Sequence, residues 1–311
     1  MKLDVSHSRI VSLPALMCKE SCIMTGLNMA GYNYKLMLLE AWNLLYEGGV
    51  LIGSKRLSKF DLGFIYGIQT GEVTGNVGKL IQLIENNGLV LVSVRESKLK
   101  FTRNHEIEFD SVGFTHQILV YSYDSESELF EIIDPVSDYM GSISILELQA
   151  AATVHGLFKL WYMDLFEIKS AASIDEIYRR AAVTNFSRFE KNKLALLQMK
   201  EDLLKTPELP LKERELWFKR NALTISTIAK IRQNIWITFS ESDSLTKEQK
   251  MKGLALIDSI GKGWISFKFQ LMKVMIHPLD FELLNSIEQR IESLIHLEYE
   301  FLKHIYYQWG K

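Results

Sequence analysis

The distribution of apolar residues divides the chain into a mixed first half and an amphipathic second half. In the first half, apolar positions recur close to every 3.6 residues over 18–30 and are followed by Gly31, which predicts a helix that faces a core. Further helices are predicted over about 33–46 and over the segment GNVGKLIQLIENNG, residues 75–88. The β-branched run LVLVSV that follows, residues 89–94, predicts a buried strand.

The segment THQILVYSYDSESELFEIIDP, residues 115–135, has the pattern of a β-hairpin. Aromatic and β-branched residues cluster on both sides of the polar DSESE turn. A short helix over 145–153 and a strand over 157–168 are predicted after it. We therefore expect the first half of the chain to fold as helices followed by an antiparallel sheet.

From Ser173 onward the strand pattern disappears. Long amphipathic segments replace it, separated by short stretches that are polar or contain proline. These segments are residues 174–205, 211–239, 247–276 and 281–309. We place a boundary in the small, polar stretch at 169–173. The predicted fold is α+β, with helices and an antiparallel sheet over residues 1–170 and an all-α helical bundle domain over residues 171–311.

Composition and charge narrow the class of protein. Hydrophobic residues make up 47% of the chain and charged residues 24%, and five prolines leave little room for disordered linkers, which predicts a compact globular protein. A formal net charge of -2 and a pI near 6.4 argue against a nucleic-acid partner, because such partners call for a basic surface. The sequence has no run of about 18 apolar residues, so we expect no membrane span and a cytoplasmic protein with reduced thiols.

The chain has two cysteines, and both fall in the first predicted helix. Cys18 lies at the expected helix N-terminus, where unsatisfied backbone amides favour a thiolate and can also bind an oxyanion. Cys22 lies one turn inside the helix. The commonest role of a single cysteine is that of a small buried hydrophobe, and we adopt that interpretation for Cys22. Cys18 is the candidate nucleophile.

A nucleophilic thiol also needs a base and a group that orients the base. His116 begins the first strand of the predicted hairpin and Asp134 ends the second, so strand pairing can bring their side chains together. Taken one at a time, they are equally well explained as a strand-end histidine and an aspartate that opens a turn before Pro135. The hypothesis of a catalytic triad therefore depends on Cys18, His116 and Asp134 together.

The combination resembles a known family. CKESCIMTGLNMAG, residues 18–31, is similar to the start of the papain-like cysteine peptidases that cut bacteriocin leader peptides, and HQILVYSYDSESELFEIIDP, residues 116–135, is similar to the second half of their signature. The resemblance covers about the first half of the chain. It implies a papain-like cysteine protease fold in which Cys18 is the nucleophile, His116 the general base and Asp134 the group that orients the base.

One departure from that family changes the expected reaction. Those peptidases place a glutamine six residues before the nucleophile to complete the oxyanion hole, and this chain has Ser12 there. A closer resemblance is to the butirosin-type acyltransferases and the related thiotemplated amide synthases, which follow such a domain with a helical region. It implies an acyl group moving from a carrier-protein thioester to a small amine through an acyl-Cys18 intermediate, in natural product biosynthesis.

The same resemblance implies the partners. The donor is presented on the phosphopantetheine of an acyl or peptidyl carrier protein, the acceptor is a small amine, and neither a cofactor nor a metal is implied. Carrier proteins are often acidic, and a basic cluster in the second half is a candidate docking surface. Its members are Arg179, Arg180, Arg188, Lys191 and Lys193.

Two other functions stay open at this point. One is a cysteine peptidase or amidase of the same fold, and Ser12 argues against it. The other is a catalytically silent module whose helical half binds a partner protein, and the retention of Cys18, His116 and Asp134 argues against it. The sequence also leaves the oligomeric state open, and it is compatible with a homo-oligomer.

Overall fold

The computed structural model divides into two compact units, each built from two separate segments of the chain. The first unit comprises Met1–Tyr34 and Arg56–Ala172, and the second comprises Lys35–Lys55 and Ser173–Lys311. The sequence predicts one domain over residues 1–170, whereas residues 35–55 belong to the helical unit in the structure. The residues that the structure describes are 3–13, 16–53, 59–102, 115–152, 156–166, 169–277 and 281–310.

Helices and strands alternate in the first unit, and helices dominate the second. The helices are α1 (Cys18–Met29), α2 (Lys59–Tyr66), α3 (Val77–Asn87), α4 (Ile145–Ala150), α5 (Ile174–Ser187), α6 (Phe189–Lys205), α7 (Leu211–Ser240), α8 (Lys247–Ile276) and α9 (Phe281–Trp309). The strands are β1 (Leu45–Glu47), β2 (Val50–Ile52), β3 (Gln69–Gly75), β4 (Gly88–Arg95), β5 (Thr115–Asp124), β6 (Leu129–Asp134), β7 (Tyr139–Ser144) and β8 (Phe158–Asp164). The predicted α+β class, with an antiparallel sheet and a helical C-terminal region, is confirmed. None of the described helices has the length and apolar character needed to cross a membrane.

The sheet of the first unit has the strand order β3-β8-β4-β5-β6-β7 and lies between α1 and α3. Successive residues of a strand point to opposite faces. Val90 shares a buried cluster with Leu80 of α3, whereas Leu89 lies close to Gly26 of α1. A Cβ atom at Gly26 would lie 2.9 Å from Leu89 Cδ1 and 2.6 Å from Met163 Cε. Glycine therefore lets α1, the helix that begins with Cys18, pack closely on the sheet.

Several predicted elements are confirmed. The first helix ends at Met29, and Gly31 beyond it has φ +80, a left-handed conformation that favours glycine. The helix and strand predicted over 75–88 and 89–94 are α3 and β4, and the hairpin predicted over 115–135 is β5 and β6. The single segment 174–205 is instead two helices, α5 and α6, which meet at Arg188.

The helix predicted over 33–46 is wrong. The structure has a 3-10 helix over Tyr34–Leu38, then irregular backbone and the first strand of the β1–β2 hairpin. Side chains from distant helices satisfy this backbone: Asn185 Nδ2 donates to the Leu39 carbonyl over 2.6 Å, and the Asn192 amide bonds two further backbone groups. These bonds replace those that a helix would make within itself.

The core of the second unit contains a buried cluster of paired charges. Arg232 of α7 is 0% exposed and donates to Glu298 of α9, with Nε 3.0 Å from Oε1 and Nη2 3.3 Å from Oε2. The same carboxylate accepts indole N–H bonds from Trp42 and Trp264, each over 2.9 Å. Arg232 also stacks on the Trp42 ring, with Cζ 4.3 Å from the centroid. The buried carboxylate is therefore compensated by charge and by four hydrogen bonds.

Candidate active site

Cys18 is the first residue of α1. The residue before it, Met17, has an extended backbone (φ -72, ψ 164), and its side chain does not cap the helix. The bond from the Ser21 amide to the Met17 carbonyl, 3.0 Å long, closes the first turn. The amides ahead of Ser21 have no intrahelical acceptor, so they are placed to receive an anion beside the Cys18 sulfur.

The two cysteines of α1 have different environments. Cys18 is half-buried, whereas Cys22 is fully buried and its Sγ donates to the Gln117 carbonyl over 3.3 Å. Burial, reinforced by the negative charge of Asp134 and by Cys18 and Glu20, raises the pKa of the Cys22 thiol well above its ordinary value. Cys22 therefore stays protonated and packs in the core, while Cys18 is the more accessible sulfur.

His116 and Asp134 form a close buried pair. His116 lies near the start of β5 and Asp134 is the last residue of β6, and the register Leu119 to Ile133 places their strand ends side by side. His116 Nε2 is 2.9 Å from Asp134 Oδ2, and the two side chains are 6% and 0% exposed. The two atoms are not aligned for a linear hydrogen bond, so the contact is best described as an ion pair. The other oxygen, Asp134 Oδ1, accepts the Val136 amide over 3.1 Å, which fixes the carboxylate.

Each member of this pair stabilises the charged form of the other. Burial alone lowers the pKa of His116, but the Asp134 carboxylate and the Cys18 sulfur beside the ring outweigh it and raise the pKa to about 10. Burial alone raises the pKa of Asp134, but His116, Ser137 and the Val136 amide outweigh it and lower the pKa. At neutral pH the pair is therefore an imidazolium and a carboxylate.

The Cys18 sulfur is also close enough to the imidazole to contribute to the raised pKa of His116. Because Nε2 faces Asp134, Nδ1 is the ring nitrogen left for the sulfur. The structure thus brings together the three residues that the sequence singled out, in the order sulfur, imidazole, carboxylate. This arrangement can hold a thiolate beside a cationic ring, and the ring can give or take one proton.

A pocket of about 440 Å³ opens at the N-terminus of α1. Cys18 lies in its wall together with Lys19 and Glu20 of the same turn. Gln117, the residue after His116, and Trp161 of β8 contribute from the sheet. The thiol therefore faces a space large enough for part of a small substrate.

Gln117 and Glu20 are pocket residues that the sequence analysis did not identify. Gln117 Nε2 donates to Ser93 Oγ over 3.3 Å, whereas its buried Oε1 has no hydrogen-bond partner in the part of the chain that the structure describes. Only its position next to His116 in the sequence indicates that Gln117 lies near the site, because neighbouring residues of a strand lie at the same end of that strand. Glu20 gave no signal, because an acidic residue in the first turn of a helix is common. Ser12, six residues before Cys18, is exposed.

The described residues contain no group of three or more histidine, cysteine, aspartate or glutamate side chains placed to hold a metal ion. The sequence matches no protein-family model and no curated protein.

Proposed function

We propose that the chain is a papain-like cysteine acyltransferase that forms an amide from a carrier-bound thioester and an amine. The observation that supports it best is the buried His116–Asp134 pair, 2.9 Å between Nε2 and Oδ2, beside a thiol at a helix N-terminus that opens on a pocket. A stable structural core has no need of a histidine that a buried carboxylate keeps cationic next to a sulfur.

In the first half-reaction, the Cys18 sulfur attacks the carbonyl carbon of the thioester. The new C–S bond forms as the bond to the carrier's sulfur breaks, and His116 gives its proton to that leaving thiolate. The free amides at the start of α1 stabilise the oxyanion. The attack exchanges one thiolate for another, so it demands less oxyanion stabilisation than attack on an amide and is compatible with serine at position 12.

In the second half-reaction, an amine attacks the acyl group on Cys18. The C–N bond forms, the C–S bond breaks, and the now neutral His116 takes the proton that the amine loses. Asp134 stabilises the imidazolium in both steps and holds the ring through its contact with Nε2. The products are an amide and the free enzyme, without a cofactor or a metal.

The donor in this proposal arrives on the phosphopantetheine of a carrier protein, in cytoplasmic natural product biosynthesis. Fewer residues of the basic cluster are available for docking than the sequence suggests. Arg180 Nε is 2.7 Å from Glu40 Oε1, and Arg188 Nη1 donates to the Glu40 carbonyl over 3.2 Å, so both are engaged within the helical unit. Arg179 and Lys191 are exposed and are the better candidates for contact with an acidic carrier.

The test uses an acyl N-acetylcysteamine thioester with n-butylamine and the full-length protein. We expect an acyl adduct on Cys18 by intact mass, and the N-butyl amide as product, in the wild type and in Cys22→Ala. Cys18→Ala, the matched change one turn away, should give neither. Free acid without amide would favour a peptidase or amidase. Absence of both adduct and products in the wild type would contradict an enzyme of this kind.

A further inference from the structure

Glu20 is a buried carboxylate with an oxygen that no described residue bonds. It is the third residue of α1, is 4% exposed, and lies in the wall of the Cys18 pocket. Its Oε2 has no hydrogen-bond partner among the described residues. An ionised carboxylate removed from water is costly unless a cation or N–H donors surround it.

The position of Glu20 in its helix does not explain its burial. Glutamate at the third helical position often accepts a bond from the N-cap amide, and the chain forms such capping boxes at the starts of α4, α5 and α8. In each of them the side chain at the third position bonds back to the N-cap backbone. At α1 no such bond forms, and the Glu20 side chain faces the pocket instead.

Two lysines, Lys19 and Lys159, line the same pocket, but neither forms an ion pair with Glu20, and Lys159 is exposed. Lys19 is the nearest lysine in sequence, but its Nζ lies over the Trp161 ring, 5.0 Å from the centroid. No ion pair within 4.0 Å joins Glu20 to any described residue. Gln117 Oε1, in the same wall, is a second buried acceptor without a donor. Two unpartnered acceptors in one small pocket call for a ligand that carries several N–H donors and a positive charge.

We propose that the Cys18 pocket binds the acceptor substrate as a primary ammonium ion, held by the Glu20 carboxylate and by Gln117 Oε1. This inference rests on the proposed function and names the class of acceptor: a small primary alkylamine. Cys18 and Glu20 both lie in the wall of this pocket, so an ammonium group held by Glu20 shares the pocket with the acyl group on the sulfur. Glu20 is thus a binding residue for the second substrate only.

The transfer step balances with this binding mode. The ammonium ion held by Glu20 first releases one proton to solvent. The free amine attacks the acyl carbonyl, and its second proton passes to His116 as the C–N bond forms and the C–S bond breaks. Overall, acyl-Cys18 and an ammonium ion give an amide, the Cys18 thiol and one proton.

The experiment separates acylation of Cys18 from transfer to the amine. The full-length wild type and the variants Glu20→Gln, Glu20→Asp and Glu85→Gln are acylated with the N-acetylcysteamine thioester. Each is then mixed with n-butylamine, or with hydroxylamine, which is uncharged at neutral pH. Glu85 is an exposed carboxylate of α3, so its variant controls for the loss of one negative charge.

We expect Glu20→Gln to raise KM for butylamine by roughly tenfold or more, because a charge-assisted contact is lost. The acylation rate and the KM for hydroxylamine should stay within about twofold of the wild type, and Glu85→Gln should match the wild type throughout. Glu20→Asp keeps the charge and should give an intermediate KM for butylamine. An unchanged KM for butylamine in Glu20→Gln would overturn the inference.

A binding measurement distinguishes failure of this inference from failure of the proposed function. Butylammonium chloride is titrated into Cys18→Ala and into Cys18→Ala/Glu20→Gln, with saturation-transfer NMR as readout. Weaker binding to the double variant supports the ammonium site even if the thioester never acylates Cys18, a result that would refute only the transferase. Equal binding to both variants refutes the ammonium site and leaves the transferase standing if acylation occurs.

Discussion

Two of the buried charge clusters among the described residues differ in how completely they are paired. In the helical unit, Glu298 is bonded by Arg232 and by two indole N–H groups, so it is saturated within the protein. In the first unit, His116 and Asp134 pair closely, but Glu20 in the pocket beside Cys18 has no partner among the described residues. A saturated cluster stabilises a fold, whereas an unsaturated one next to a nucleophile keeps the capacity to bind a ligand.

The largest expected effect is on activity. Asp134→Asn removes the charge that keeps His116 cationic, so we expect acylation of Cys18 by the thioester to slow by roughly 10⁴-fold. The free energy of unfolding should change by less than about 2 kcal/mol, because the asparagine oxygen can still accept the Val136 amide. Single-turnover intact mass and urea unfolding measure the two quantities. A large loss of stability with normal acylation would make this cluster structural.

In the helical unit we expect a charge-removing substitution to reduce stability and to leave acylation unchanged. Arg232→Met leaves the buried Glu298 charge without its cation and should reduce the free energy of unfolding by about 3–5 kcal/mol. Tryptophan fluorescence in urea follows the change, since Trp42 and Trp264 contact the same carboxylate. The rate of Cys18 acylation should be unaffected under conditions where the variant is folded.

A double variant serves as control for that prediction. Arg232→Met/Glu298→Leu removes both charges, so it should recover much of the lost stability. If the double variant is no more stable than Arg232→Met alone, the cluster matters for packing and not for charge compensation.

The dependence of stability on pH should distinguish the clusters further. The folded-state pKa of His116, about 10, lies above its ordinary value of 6.5. The cationic ring therefore stabilises the fold fully below pH 6.5, and this contribution is lost as the pH rises toward 10. Between pH 6.5 and 9 the wild type should lose on the order of 1–3 kcal/mol more unfolding free energy than His116→Gln. Parallel pH profiles for the two proteins would show that the pair does not stabilise the folded state.

The smallest effect is expected at Cys22. Cys22→Ala removes one buried sulfur from a side chain that is 0% exposed and should cost about 1 kcal/mol of unfolding free energy. Acylation of Cys18 should stay within about twofold of the wild type. Iodoacetamide mapping of the native wild type checks the same distinction, because it should label Cys18 in preference to Cys22. Preferential labelling of Cys22 would remove the basis for treating Cys18 as the nucleophile.

What the sequence predicted depended on local patterns. The helix at 18–30 and the hairpin at 115–135 follow from periodicity and from turn residues, so Cys18, His116 and Asp134 could be placed on elements in advance. The helix wrongly predicted over 33–46 shows the limit. That stretch has helical composition, but its backbone is satisfied by side chains far away in sequence, such as Asn185, which no local pattern reveals.

The missing part of the candidate site has a similar origin. Glu20 in a first helical turn is a routine surface residue by sequence. It becomes informative only because tertiary packing buries it and leaves Oε2 without a donor. Gln117 likewise becomes a pocket residue only when β5 packs between β4 and β6. Unsatisfied polar atoms are a property of the assembled fold and have no signature in spacing or composition.

The assignment of residues 35–55 to the helical unit has a consequence for how the protein is made and handled. On the ribosome this segment emerges long before the helices that bind its backbone, so the helical unit cannot be completed until synthesis has passed through the whole first unit. A fragment cut at the junction before Ser173 would lack the hairpin that Asn221 binds through Gly49 and Leu51. Neither unit corresponds to one continuous stretch of the sequence.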